Sequence, residues 1–220
     1  MNFVDKIEQA KDTISTALKT WPHLTVACSF GKDSVVTLDL CLQIKPDIDI
    51  FTVMTPFKPK ETLVYKDYMI ANWLKRPIRE FIVPATSAPD KHWQTEPEDC
   101  CRIFKVEPTR KALEGYDAWI TGLRSTEGWT RAGLAHIEKN QIPVKVNPIL
   151  EWTELDVWRY LAVRELPVNP LYGQGYRSLG CAPCSRISES DDLPERAGRW
   201  VGTAKCGGEC GIHSLPMRTS

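Results

Sequence analysis

Two pairs of cysteines carry the clearest chemistry in this sequence. Cys100 and Cys101 are adjacent, and Cys181 and Cys184 form a Cys-x-x-Cys motif. Because the turn of such a motif brings its sulfurs together, four thiolates suit a tetrahedral zinc ion or an iron-sulfur cluster. Structural zinc sites usually leave several residues between paired cysteines, so the adjacent pair favours a cluster. The alternative is that all four are buried cysteines acting as small hydrophobic side chains.

The C-terminal segment holds two further cysteines, Cys206 and Cys210, in a glycine-rich stretch. A thiol on such a tail is accessible, and the nearby Lys205 and His213 are expected to stabilise its thiolate form. The segment therefore predicts either a nucleophile or a second metal site. Two of the residues between these cysteines are glycines, which permits a disulfide between them.

A polar turn joins an apolar strand to an apolar helix near the N-terminus. The strand is predicted over residues 24–28, and the turn reads Ser-Phe-Gly-Lys-Asp-Ser. Unpaired N–H groups at a helix N-terminus, with the positive end of the helix dipole, form an anion site. Residues predicted to bind a phosphate there, by hydroxyl, close backbone approach or charge, are Ser29, Gly31, Lys32 and Ser34. The spacing fails the Walker A pattern, and the alternative is ordinary helix capping.

Strands and helices alternate along the chain. Strand patterns cover residues 24–28, 48–54, 78–83, 116–121 and 142–146. Helix patterns cover residues 3–18, 35–42, 60–75, 100–113 and a segment opened by Thr153. This alternation predicts an α/β fold with a mostly parallel twisted sheet and helices on both faces. Ligands bind at the carboxyl ends of such strands, so loops 29–34 and 122–131 are expected to face one crevice.

Length and composition restrict the partners. The 220 residues suit one domain, predicted over 1–200, with a mobile tail over 201–220. Lysine plus arginine and aspartate plus glutamate both count 28, and this zero net charge argues against a nucleic-acid or membrane partner. With no signal peptide or membrane span predicted, we expect a cytoplasmic protein. In the cytoplasm, clustered cysteines favour metal or redox chemistry over disulfides. Cys28 and Cys41 lie in apolar stretches instead, and we expect them to be buried hydrophobic side chains.

Several motifs occur in one order along nearly the whole chain. They are Cys-Cys-Arg-Ile-Phe-Lys from Cys100, Trp-Ile-Thr-Gly-Leu-Arg from Trp119, Thr-Arg at Thr130, Cys-Ala-Pro-Cys from Cys181, Gly-Arg-Trp from Gly198 and Glu-Cys-Gly-Ile-His from Glu209. This order resembles the iron-sulfur type of the assimilatory adenylyl-sulfate (APS) and phosphoadenylyl-sulfate (PAPS) reductase family. The turn also resembles the loop of the adenine-nucleotide alpha hydrolases, the PP-loop proteins. The two cysteine pairs together with Glu-Cys-Gly-x-His are highly specific.

The resemblance implies a cofactor, a nucleophile and a thiol donor. The cofactor is a [4Fe-4S] cluster on Cys100, Cys101, Cys181 and Cys184. Cys210 attacks the sulfur of the sulfonucleotide, releases AMP and carries an S-sulfocysteine, as a step of sulfate assimilation. A thioredoxin or glutaredoxin-type thiol then releases sulfite. Side chains implied to bind phosphate and sulfate oxygens, rather than to be solvated surface charges, are Lys105, Arg124, Arg196 and Arg199.

The chain departs from the family pattern in places that concern the nucleotide. The turn is closer to that of pyrophosphate-releasing ATP enzymes, Met-Thr-Pro at 54–56 replaces the usual Asp-Thr-Gly, and residues 125–129 lack the usual glutamine. Either APS or PAPS is therefore compatible, since Lys32, Lys58 and Lys60 suit a further phosphate. Two other functions stay open: an ATP-dependent adenylating or sulfur-transferring PP-loop enzyme with a cluster, and a non-catalytic iron-sulfur redox module.

Cys206 is not required by the family pattern. We predict that its thiolate attacks the S-sulfocysteine at Cys210, expels sulfite and leaves a disulfide, because a short flexible link gives a high effective concentration. The alternative is an exposed cysteine with no role. The oligomeric state stays open, with a homo-oligomer compatible.

Overall fold

The computed structural model describes residues 1–128, 131, 133–190, 192–205 and 211–214. The predicted nucleophile Cys210 and the predicted resolving thiol Cys206 lie outside the described residues. The mobility predicted for the tail stays a prediction.

A six-stranded sheet runs through the described part of the chain. Its strands are β1 (Leu24–Ala27), β2 (Asp49–Met54), β3 (Arg79–Ile82), β4 (Ala118–Ile120), β5 (Ile137–Glu138) and β6 (Val144–Val146). Their order is β3-β2-β1-β4-β6-β5. Strand β1 runs parallel to β2 and β4, β4 runs parallel to β6, and β5 pairs antiparallel with β6 at the edge. The predicted α/β class with a mostly parallel sheet is confirmed.

Helices precede, separate and follow these strands along the chain. They are α1 (Phe3–Thr20), α2 (Lys32–Ile44), α3 (Lys60–Tyr68), α4 (His92–Thr95), α5 (Pro97–Cys101), α6 (Glu107–Ala112), α7 (Glu154–Val163) and α8 (Gly211–Ser214). The start of α7 follows from its sequence. The hydroxyl of Thr153 accepts a hydrogen bond from the N–H of Asp156, and the Asp156 carboxylate accepts one from the N–H of Thr153. This reciprocal capping box satisfies N–H groups that a helix leaves unpaired.

The structure differs from the sequence-based prediction at short or irregular elements. Strand β5 lies in the predicted loop 122–140, because two residues are too few to show an alternating pattern. Helix α4 lies in the predicted loop 84–97, because a helix of four residues is too short to show an apolar period of 3.6 residues. The helices predicted over 60–75 and 100–113 are interrupted by π-helical turns at Met69–Leu74 and Arg102–Val106.

The chain contains two compact units. Among the described residues, unit 1 comprises Met1–Thr52 and Leu113–Pro167, and unit 2 comprises Val53–Ala112 and the described part of Val168–Leu215. The extent of the predicted domain, 1–200, stays a prediction. No helix in the described ranges is both long and apolar enough to cross a membrane.

Candidate nucleotide loop and cysteine site

The turn after β1 presents the N-terminus of α2. Gly31 is the N-cap, and no side chain caps the helix there. The hydroxyl of Ser34 instead donates to the carbonyl of Gly31 at 2.9 Å and lies 3.3 Å from the hydroxyl of Ser29. The left-handed residue of the turn is Phe30, with φ 59°, and its side chain is buried. The anion site predicted at the start of α2 stays a prediction.

The two loops predicted to face one crevice meet inside unit 1. The Nε of Arg124 donates to Oδ1 of Asp33 at 2.5 Å, and the Arg124 side chain is fully buried. A Cβ added to Gly122 would lie 2.8 Å from the backbone of Asp33 and Ser34. The loop after β4 therefore packs directly on the loop after β1, and the crevice that the two loops are expected to face stays a prediction.

Charged side chains extend this contact. Arg131 donates to the Glu127 carboxylate, and Arg124 lies 3.9 Å from the same carboxylate. Burial by itself would raise the pKa of Asp33, but the charges of Arg124 and Lys32 outweigh it and lower that pKa. Asp33 is therefore ionised at neutral pH and anchors Arg124.

Lys32, predicted to bind a phosphate, lies in unit 1 with its ammonium group buried. Its Nζ is 3.6 Å from a carboxylate oxygen of Glu154 and 4.0 Å from Asp33, and it lies 5.9 Å from the ring centroid of Trp158. Sequence reasoning missed Glu154. The available signal was its place as the first residue of a predicted helix, where a carboxylate is common.

The two cysteine pairs meet in unit 2. Cys101, Cys181 and Cys184 share a buried cluster with Trp200, and partly buried Ile212 packs against it. Cys100 is also buried, and the charges of Cys181 and Cys184 act on it. All four are free thiols. The prediction that the pairs converge is confirmed, whereas Cys28 and Cys41 are buried as expected.

The surroundings of the four thiols are cationic. Burial, followed by the charges of Cys181 and Cys184, raises the pKa of Cys100 to about 11. At Cys181 burial again disfavours the thiolate, but Lys105 and Lys58 outweigh it and lower the pKa. The hydroxyl of Thr55 also lies 3.1 Å from its sulfur. Burial and the charge of Cys181 raise the pKa of Cys184, so the neighbouring cations favour the thiolate at Cys181 while burial and the neighbouring sulfurs disfavour it at Cys100 and Cys184.

Three cations surround the buried indole of Trp200. The guanidinium carbons of Arg196 and Arg199 lie 5.2 and 4.7 Å from a ring centroid, and Nζ of Lys205 lies 5.0 Å away. Arg199 also donates to the carbonyls of Leu179 and Cys184. Arg199 is buried and Arg196 is half-buried, so neither is a solvated surface charge.

The spacing of the sulfurs is wider than a zinc site requires. Among the described residues, no three cysteine sulfurs lie within 4.8 Å of one another. Four sulfurs at about 2.3 Å from one zinc ion would be roughly 4 Å apart. The indole N–H of Trp200 has no hydrogen-bond partner in the described structure and is available to an acceptor.

Comparison with known proteins assigns the chain to a family. Residues 23–187 match the family model described as the phosphoadenosine phosphosulfate reductase domain. The chain belongs to this family. Adenosine 5'-phosphosulfate reductase 1 of Bacillus subtilis (strain 168) is 42% identical over 200 residues, which cover 87% of this chain and 84% of that protein. The match to the phosphoadenosine phosphosulfate reductase domain includes the turn after β1 and both cysteine pairs, whereas Arg196, Arg199 and Cys210 follow it.

Solved structures support the fold. A phosphoadenylyl-sulfate reductase from Candida auris has a TM-score of 0.69 and 23% identity, covering 79% of this chain and 88% of that chain. The FMN adenylyltransferase of Candida glabrata has a TM-score of 0.65 and 15% identity, covering 94% of this chain and 75% of that one. At these identities the likeness shows the fold alone.

Proposed function

We propose that this chain reduces APS to sulfite and AMP in sulfate assimilation, with electrons from a thioredoxin or glutaredoxin-type thiol. The observation that carries the proposal is the site of four buried, free thiols in a cationic environment. Such a site suits anionic sulfur chemistry, and the Bacillus subtilis relative is named for reduction of adenosine 5'-phosphosulfate.

The residues of each unit have separate roles in this proposal. In unit 1 the N–H groups of α2 and the hydroxyls of Ser29 and Ser34 bind a phosphate oxygen. Arg124, held by Asp33, keeps the turn in place. In unit 2 the candidate side chains for sulfate and phosphate oxygens are Lys105, Arg196 and Arg199.

The chemistry proceeds by two displacements at sulfur. The Cys210 thiolate attacks the sulfur of APS, an S–S bond forms, the S–O bond breaks, and AMP leaves with its electron pair. A donor thiolate then attacks Sγ of Cys210, and sulfite leaves with the pair from the broken S–S bond. The donor's second thiol displaces Cys210, so the donor becomes a disulfide and supplies both electrons. In the variant of this scheme that uses Cys206, that thiol makes the second attack.

The four thiols fit an iron-sulfur cluster. Cys100, Cys101, Cys181 and Cys184 form an all-sulfur donor set, their spacing is wider than zinc needs, and the unpaired N–H of Trp200 offers a donor to sulfur. A [4Fe-4S] group bound there would organise the site and tune its electrostatics, while electrons come from thiols.

A single-turnover experiment tests the proposed function. Anaerobically purified Cys206→Ser protein, in which attack on the adduct by Cys206 is impossible, should release stoichiometric AMP from APS with no thiol donor present and gain a sulfonate on Cys210, detected by peptide mass spectrometry. Cys210→Ser should form no adduct, and Cys41→Ser, which changes a buried cysteine of α2, should react as the wild type does. A dithiol added afterwards should release sulfite.

A different result would identify the protein as a member of the competing class, the ATP-dependent PP-loop enzymes. If APS yields neither AMP nor adduct, and ATP with magnesium and sulfate yields pyrophosphate, the protein is an ATP-dependent PP-loop enzyme instead.

A further inference from the structure

The guanidinium of Arg199 lies on the backbone of the loop 181–184, which carries two of the four thiols of unit 2. Its Nη1 donates to the carbonyl of Leu179 at 2.8 Å, and its Nε donates to the carbonyl of Cys184 at 3.2 Å. A guanidinium suits this task because its N–H groups point in fixed directions. One side chain therefore joins the two ends of the loop.

The backbone around Arg199 is fixed by other contacts. The N–H of Trp200 donates to the carbonyl of Cys184 at 3.0 Å, and the N–H of Arg186 donates to the carbonyl of Gly198 at 2.8 Å. These two hydrogen bonds determine where the Arg199 side chain begins, and the contacts of its guanidinium determine where it ends.

Gly180 provides the space that the guanidinium occupies. It is buried, and a Cβ built on it would lie 2.5 Å from Cζ of Arg199 and closer still to Nη2. Only a residue without a side chain permits such a close approach. At Gly122 an added Cβ would meet backbone, whereas at Gly180 it would meet the end of a long side chain. A methyl group at position 180 would therefore displace the guanidinium and leave the backbone in place.

We propose that Gly180 is a positioning residue, which seats the Arg199 guanidinium so that its remaining N–H groups bind oxygens of the sulfonucleotide. This inference rests on the proposed function and explains how Arg199 is held for it. Two of the five guanidinium N–H groups donate to the backbone, and the other three have no hydrogen-bond partner among the described residues. A side chain that is held in place before the anion arrives loses little freedom when the anion binds.

A double-mutant cycle tests whether Gly180 seats Arg199. Gly180→Ala should lower the melting temperature by about 2–4 °C, because the displaced guanidinium loses hydrogen bonds to the backbone. In Arg199→Ala that space is vacant, so the further change Gly180→Ala should cause no additional loss. Gly173→Ala, whose Cβ would meet nothing within 4 Å, should leave the melting temperature unchanged in both backgrounds.

Steady-state sulfite release with a dithiol donor tests the positioning role. The KM for APS should rise about tenfold in Gly180→Ala and by a similar factor in Arg199→Ala, while kcat changes less than threefold. The double variant should have a KM no higher than that of Arg199→Ala, because both changes remove the same contact. A glycine that serves stability alone would change the melting temperature and leave the KM unchanged.

The outcomes separate this inference from the proposed function. If sulfite forms from APS but Gly180→Ala lowers the melting temperature equally in both backgrounds, or leaves the KM unchanged, the inference is wrong and the function stands. If Gly180→Ala does not fold by itself, a folded double variant supports the inference and an unfolded one contradicts it. If the wild-type protein forms no sulfite from APS, both are wrong.

Discussion

Arg124 is a fully buried cation, and burial of a guanidinium is tolerated only when a partner offsets its lost hydration. Asp33 is that partner, and the Thr126 hydroxyl and the carbonyl of Trp152 accept from the other side of the guanidinium. The side chain therefore fixes the loop after β4 against the turn after β1.

This close packing predicts the effect of adding one methyl group. In Gly122→Ala the new Cβ would lie 2.8 Å from the backbone of Asp33 and Ser34, which has no flexible side chain to move away. We expect the free energy of unfolding to fall by about 1–3 kcal/mol, and AMP binding to weaken because the turn shifts. Chemical denaturation and calorimetry measure these changes. Gly173→Ala, whose Cβ would meet nothing within 4 Å, is the matched control, and an equal loss in both variants would contradict the argument.

Helix α7 is the element that brings Glu154 to Lys32. Its N-terminus is fixed by the capping box, and the Asp156 carboxylate also accepts from Nζ of Lys6 at 2.5 Å. Further along, the hydroxyl of Tyr160 donates to the buried carboxylate of Asp39 on α2 at 2.7 Å. Asp156 thus ties α7 to Lys6 of α1, and Tyr160 ties it to α2, the helix that begins at the turn.

The capping box should contribute measurably to stability, in a manner that depends on pH. Thr153→Ala should lower the free energy of unfolding by about 1 kcal/mol. Burial by itself would raise the pKa of Asp156, but the hydrogen bonds from Lys6 and Thr153 lower it below its usual range.

A lowered folded-state pKa gives a stabilisation that is complete above the unfolded-state pKa, near 4, and lost as the pH falls. The stability difference between wild type and Asp156→Asn should therefore be constant at neutral pH and shrink below about pH 4. Denaturation at several pH values measures it, with Asp12→Asn, an exposed carboxylate of α1, as control. A difference that grows toward low pH would contradict the assignment.

The net charge of the whole molecule is balanced, but positive side chains are concentrated around the four cysteines. Net charge is zero over 220 residues, yet Lys58, Lys105 and Arg199 act together on Cys181. Attraction of an anionic substrate therefore depends on short-range contacts in the sites rather than on a field of the whole protein.

A bound cluster should stabilise the folded protein, because a group that binds only the native state raises the free energy of unfolding. Iron-loaded protein should melt several degrees above the same protein after iron removal. In Cys101→Ser this difference and the iron content should both disappear, while Cys41→Ser should retain both. Iron analysis, visible absorption and thermal melting provide the readings. A wild type that binds one zinc ion and no iron would contradict the cluster.

The sequence by itself determined the features that depend on local pattern. The alternation of strands and helices, the turn before α2 and the start of α7 follow from periodicity and capping residues within a few positions of each other. The convergence of the cysteine pairs was also predictable, because an adjacent pair and a Cys-x-x-Cys pair in one chain together suit a single metal or cluster site.

Only the tertiary structure decided which charges face one another. Glu154 and Lys32 lie far apart along the chain, and nothing local to either residue specifies the ion pair between them. The same is true of Arg124, which the sequence could not distinguish from a surface arginine until its contact with Asp33 was visible. Pairing between distant segments depends on how the packed helices and strands place their side chains. The distance between two such side chains in the folded protein cannot be read from the linear sequence.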